Sequence, residues 1–209
     1  MSSLCIYPQE ESTSFLKPIA DKLQEIGFDV YDGGTGDVEY AKTILDSIPD
    51  YDNIVFLGHG SSEALSGSGL TPLINGDRVD LLRGKRVFLL SCNSKEFIST
   101  YSLTDAIGFD IIPTGETDLY TILDQDYSYF ENIPDDNDLE WFRSAIVRII
   151  VNSFSDIDMD NMIMLYNRVK MYTNLERYAC IRECKDLNYR DILRMLYDFK
   201  DCMVYVAMH

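Results

Sequence analysis

Two residues of this sequence have the types and the setting to do chemistry together. His59 ends the apolar run of IVFLGHGSS, residues 54 to 62, and Cys92 ends that of RVFLLSCNS, residues 86 to 94. An imidazole beside a thiol is the pair that cysteine nucleophiles use: the ring accepts the thiol proton and the sulfur attacks an acyl carbon. Each run reads as a short strand, buried on both faces, that stops at a turn of small residues. In an open α/β sheet the ligand crevice lies outside the carboxyl ends of the strands. Parallel neighbours ending in His and Cys therefore bring the two side chains to one crevice.

The neighbours fit that chemistry. Taken singly, His59 reads as a core or loop histidine and Cys92 as a small hydrophobe, since free cysteine is among the most buried residue types. Their matched positions favour the functional reading. Gly58 and Gly60 allow a tight backbone path around His59 and leave the amide of Gly60 free to point into the crevice, as an oxyanion hole requires. Ser91 leaves the thiol uncrowded. A thiol facing an imidazole and the start of a helix near Asn93 or Ser94 is expected to have a lowered pKa. The other histidine, His209, is the last residue and reads as a terminal remnant.

The elements that must carry these residues follow from periodicity. Leu4 to Tyr7 reads as a strand, Ser14 to Ile26 as a helix stopped by Gly27, Phe28 to Tyr31 as a strand, Asp37 to Ile48 as a helix closed by Pro49, and Asn53 to Leu57 as the strand before His59. Ser61 to Gly76 reads as a mobile connection rich in Gly, Ser and Asn, followed by a helical piece at Val79 to Leu82. A helix from Cys92 to about Ala106, a strand at Ile107 to Ile112, and a turn or strand within Thr114 to Gln125 come next. From Leu139 the pattern is helical: Leu139 to Phe154, Met159 to about Asp186, and Tyr189 to about Met208. Strands alternating with helices predict an α/β unit over residues 1–138, with a mostly parallel sheet and helices on both faces. Residues 139–209 form a helical part that completes or packs on the same domain.

Composition limits the partners. The chain has 209 residues with a formal charge of -17, which repels phosphate backbones and anionic lipid, so neither nucleic acid nor a membrane surface is an expected partner. A basic peptide or protein is. Residues 1 to 10 lack the basic start and apolar stretch of a signal peptide, and no run approaches the roughly 18 apolar residues of a membrane span. Five unevenly spaced cysteines read as reduced thiols in a cytoplasmic protein.

The pairs His59-Gly60 and Ser91-Cys92, each behind an apolar strand, resemble the caspase-like (clan CD) cysteine peptidases, and within them the bacterial CHAT-type domains. The resemblance covers roughly Leu4 to Gln125 as strand order, with Leu139 to Phe154 and Met159 to Thr173 similar to the helical pair that often follows. It implies a caspase-like three-layer sandwich and a thiol protease in which Cys92 attacks the scissile carbonyl, His59 protonates the leaving amine, and the amides of Gly60 and Cys92 hold the oxyanion. It also implies an effector or processing hydrolase of antiviral defence or cell death, acting on a protein or peptide and switched on by a regulatory partner or by self-cleavage. The QACRG-type string of animal caspases is absent, so their aspartate preference does not transfer. Leu90 stands where relatives that prefer basic residues carry aspartate. Asp110, Glu116 and Asp118 are the candidates for a substrate pocket, against the plainer reading of solvated loop acids.

Other signals point less far. Gly33 to Gly36 lacks the Lys-Ser/Thr of a phosphate loop, Cys180 and Cys184 share a helix face without a second ligand pair, and the acidic stretches 131–138 and 156–160 lack calcium-loop spacing. No cofactor or metal is expected. The stripe Met162, Leu165, Tyr166, Val169 and Tyr172 reads as a face buried on the sheet or a partner. Two alternatives stand beside the peptidase: a chelatase-like or other small-molecule enzyme using His59 as a ligand, because Gly-His-Gly-Ser also resembles the start of tetrapyrrole chelatases, and a non-catalytic caspase-like scaffold.

Overall fold

Period-two alternation along the apolar strands sorts their side chains onto two faces, and both faces are covered. The computed structural model describes residues 2–33, 38–155, 159–184 and 187–208. The glycine loop at 34–36, part of the acidic stretch 156–160 and His209 lie outside these residues. A six-stranded sheet is built from β1 (Ser3–Pro8), β2 (Asp29–Gly33), β3 (Asn53–Leu57), β7 (Arg86–Leu90), β8 (Ala106–Gly108) and β9 (Val204–Val206), in the order β2-β1-β3-β7-β8-β9. All neighbours are parallel except β8 and β9.

Cys5, Tyr7, Val55, Leu57, Phe88, Leu90 and Ile107 face one core, completed by α1 (Lys17–Glu25), α5 (Asp136–Phe154), α6 (Met162–Glu183) and α7 (Tyr189–Asp201). Leu4, Ile6, Ile54, Phe56, Val87, Leu89 and Ala106 face the other, closed by Ile44 of α2 (Val38–Ser47) and by Phe97 and Ile98 of α3 (Ser94–Thr100). Each such side chain fully buried is worth roughly 1.5–3 kcal/mol, so a shift of one residue in any central strand would exchange the two sets and is strongly disfavoured. The α/β architecture with a mostly parallel sheet and helices on both faces is therefore present. Among the described residues no helix is long and apolar enough to cross a membrane.

Several elements differ from the sequence expectation, each for a local reason. The helix after Cys92 ends at Thr100, because Ser102 and Asp105 adopt left-handed backbone (φ 52 for both) and turn the chain into β8. The strand expected to reach Ile112 ends at Gly108, since the Phe109 amide donates to Ser94 Oγ (2.9 Å) and the carbonyls of Phe109 and Asp110 accept from the amides of Lys95 and Asn93. Those groups serve the start of α3 instead of a ladder. Residues from Glu116 form α4 (Glu116–Gln125), with the Asp118 carboxylate accepting from the Gly115 amide at its start. The loop after His59 is a small antiparallel sheet of β4 (His59–Gly60), β5 (Leu65–Ser66) and β6 (Pro72–Ile74). The last helix stops at Asp201, and β9 then joins the main sheet through β8.

The acidic stretch before α5 is more than a solvated loop. Asp138 is 4% exposed and accepts from the amides of Asn188 and Asp135, and Asp191 of α7 is 1% exposed and accepts from the amides of Glu131 and Asn132. Ser94, fully buried, is the tightest of these polar links: its hydroxyl lies 2.8 Å from the Ser91 carbonyl and 2.9 Å from that of Leu89 while accepting from Phe109. Ser94→Ala leaves these buried groups unpaired and is expected to lower stability by about 1–3 kcal/mol. Thermal unfolding of the variant checks it, and an unchanged transition would show that the Ser94 bonds do not hold this end of the sheet.

Candidate functional site

β3 and β7 are parallel neighbours with Leu57 opposite Leu90, so His59 and Cys92, each two residues further on, leave the sheet at the same level. The Gly58 amide donates to the Leu90 carbonyl (3.3 Å), extending the ladder one residue beyond the strands. The two chains then part. His59 enters β4, where it pairs with Ser66 and Gly60 pairs with Leu65. On the other side Asn93 takes a left-handed conformation (φ 55), which turns the chain straight from Cys92 into α3.

Both side chains line a single cavity of about 610 Å³, shared with Glu10, Ser12, Ile112 and Asp118. Gly60 is required there for close approach. A Cβ at this position would lie 2.7 Å from the Cys92 carbonyl oxygen and 2.7 Å from Ser91 Oγ. Ser91, 2% exposed, packs its hydroxyl there without a hydrogen-bond partner.

Cys92 is half-buried and turned toward the segment after β8. The Ile112 amide donates to Sγ (3.4 Å), and the thiol faces the Ile112 carbonyl (3.7 Å). Burial, reinforced by the charge of Asp118, pushes the Cys92 thiol up to about 12, and the Ile112 amide offsets only part of this. This corrects the expected lowered pKa. α3 is short, and desolvation together with a nearby carboxylate outweighs any benefit from its first turn.

Of the three acids expected in a substrate pocket, only Asp118 lines the cavity. It accepts from the amides of Thr114 (3.0 Å) and Gly115 (3.1 Å) and from the Thr114 hydroxyl (3.3 Å) through one oxygen. Burial raises its pKa; these bonds and the charge of His59 pull it down. Asp110 instead pairs with Lys95 (3.5 Å), and Glu116 is exposed in the first turn of α4.

Sequence reasoning missed the partners of His59. Its Nε2 lies 2.9 Å from Ser12 Oγ and 3.5 Å from Glu10 Oε2. Both come from the polar run that leaves β1, which adjoins β3 in the sheet. That run is visible in the sequence as Glu10-Glu11-Ser12-Thr13-Ser14, but only strand order brings it beside His59. All five cysteines are free, with Cys180 and Cys184 buried. Among the described residues no group of three His, Cys, Asp or Glu side chains is arranged to hold a metal ion.

Two substitutions test this geometry. Asp118→Asn removes the charge that holds the Cys92 thiol up while keeping an acceptor for Thr114 and Gly115. The thiol pKa should fall and alkylation of Cys92 at fixed pH below that pKa should quicken, by roughly three- to tenfold; an unchanged rate would show that Asp118 does not act on the sulfur. Gly60→Ala forces a Cβ into backbone and should cost about 1–3 kcal/mol in thermal or denaturant unfolding. No family model matches the sequence and no curated protein is significantly similar to it, so the chemistry of the site is read from its geometry.

Proposed function

We propose that the protein is a caspase-like cysteine endopeptidase with a His59–Cys92 dyad. One observation carries the reading: the register that sets Leu57 opposite Leu90 sends a lone internal histidine and a half-buried cysteine off adjacent parallel strands into one cavity. In the proposed reaction the Cys92 S–H proton passes to the imidazole, the sulfur attacks the scissile carbonyl, and the imidazolium returns the proton to the leaving amine. Water then hydrolyses the thioester. The amides of Gly60 and Cys92 are the proposed oxyanion donors.

A thiol near pKa 12 is almost wholly protonated at neutral pH, so this form is a resting one. Activation then requires Cys92 to become less buried or the charge of Asp118 to be offset, which fits control by a regulatory protein. A role as a cytoplasmic effector or processing enzyme in bacterial defence or cell death rests on the family resemblance and belongs to the same proposal. The raised thiol also favours a second reading, a caspase-like scaffold that binds a protein without cutting it.

Digestion of a diverse peptide library by the wild-type protein, Cys92→Ala and His59→Ala, with iodoacetamide labelling in parallel, separates the two. The peptidase predicts cleavage that falls by about a thousandfold or more in either variant. It also predicts Cys92 alkylation that slows in His59→Ala. No cleavage under any condition and a Cys92 rate independent of His59 would leave the scaffold.

A further inference from the structure

We infer that Glu10 and Ser12 are positioning residues for His59, fixing which imidazole nitrogen carries the proton and leaving the other as the base. The inference rests on the dyad reading only for its consequence in catalysis; the proton's location is a property of the protein itself.

The argument starts from inventory. A carboxylate can only accept hydrogen bonds, a hydroxyl can donate or accept, and a neutral imidazole has one donor and one acceptor nitrogen. Ser12 Oγ and Glu10 Oε2 converge on the same nitrogen, Nε2, at 2.9 and 3.5 Å. Alone, the hydroxyl would be satisfied by either form of the ring. The carboxylate decides between them. Glu10 Oε2 is sealed from solvent and has no hydrogen bond of its own. An unprotonated Nε2 would set its lone pair 3.5 Å from that sealed anionic oxygen, whereas an N–H shared with Ser12 brings a positive hydrogen to its side without a hydrogen bond between the two. The ring is therefore protonated at Nε2, with Ser12 accepting, and Nδ1 holds the free lone pair.

The support for these two groups is built into the fold. Ser12 lies in the turn Glu11–Leu16 and Glu10 immediately precedes it, a short step beyond β1, and the Glu10 carbonyl accepts from the Thr13 amide (3.2 Å) and lies 3.4 Å from its hydroxyl. The Tyr7 hydroxyl donates to the Thr13 carbonyl (3.3 Å), and the Gln9 amide bonds to the Gly33 carbonyl of β2 (3.3 Å). The brace thus moves with the sheet that carries His59. When the S–H bond of Cys92 breaks and its proton forms the second N–H at Nδ1, the imidazolium lies beside the Glu10 carboxylate, and the proton is returned from the same nitrogen.

The test uses nuclear magnetic resonance of the imidazole nitrogens in the full chain at a pH where the ring is neutral. The chain has two histidines, so His59→Ala assigns the signals. Wild-type protein should show His59 in the Nε2–H form, with the Nδ1–H form appearing in Glu10→Gln, whose amide can donate or accept, and more so in the double variant Glu10→Ala/Ser12→Ala. An Nδ1–H form in the wild type, or an unchanged form in the double variant, would overturn the inference, and Glu10→Gln decides it if the double variant does not fold. Iodoacetamide labelling gives the catalytic consequence. The double variant should slow Cys92 alkylation by roughly tenfold, comparable with loss of groups that orient other histidines, while Glu10→Asp retains most of the rate. If His59→Ala slows alkylation and the double variant does not, positioning is overturned and the dyad stands. If His59→Ala itself has no effect, the dyad reading fails and the nitrogen spectra still decide where the proton lies.

Discussion

The parallel ladder between β3 and β7 is the constraint on which the site depends. Its register is held by side chains that alternate between two dry cores, so the pairing of Leu57 with Leu90 cannot slip by one residue without turning every strand residue to the wrong face. Whatever follows the two strands inherits that alignment. His59 and Cys92 leave the sheet together because hydrophobic burial has already aligned Val55 with Phe88.

Around that ladder, polar groups convert strand ends into turns. Ser94 is buried where β7, α3 and the exit of β8 meet, and its hydroxyl occupies backbone groups that would otherwise continue a strand. Gly60 lets the chain after β3 pass against the Ser91–Cys92 backbone at a distance no side chain would permit. The two chain segments that carry the site are thus held close by a glycine on one and a buried serine on the other.

Burial and nearby carboxylates together keep the Cys92 thiol protonated. The protein is strongly acidic, and part of that charge reaches the cavity as Asp118, which stabilises the protonated thiol of Cys92, while Glu10 lies against His59. Carboxylates thus lie against both members of the pair, and the one beside Cys92 disfavours the thiolate.

Much of the architecture was legible in the sequence. Apolar runs gave β1, β2, β3 and β7 to within a residue or two, Gly27 marked the end of α1 with a positive φ, and the matched strings picked out His59 and Cys92. The short elements were not legible. β4, β5 and β6 have two or three residues each, too few for a period to show, and β9 looks like the end of a helix until β8 offers it an edge. By itself the sequence determined which residues are apolar, with what period, and which reactive groups end the strands, because those are properties of neighbours along the chain. Tertiary structure alone decided that Glu10 and Ser12 meet His59, that Asp118 is the one of three candidate acids to reach the cavity, and that the Cys92 thiol is raised instead of lowered. Those outcomes depend on strand order and desolvation, which arise only when segments distant in sequence pack together.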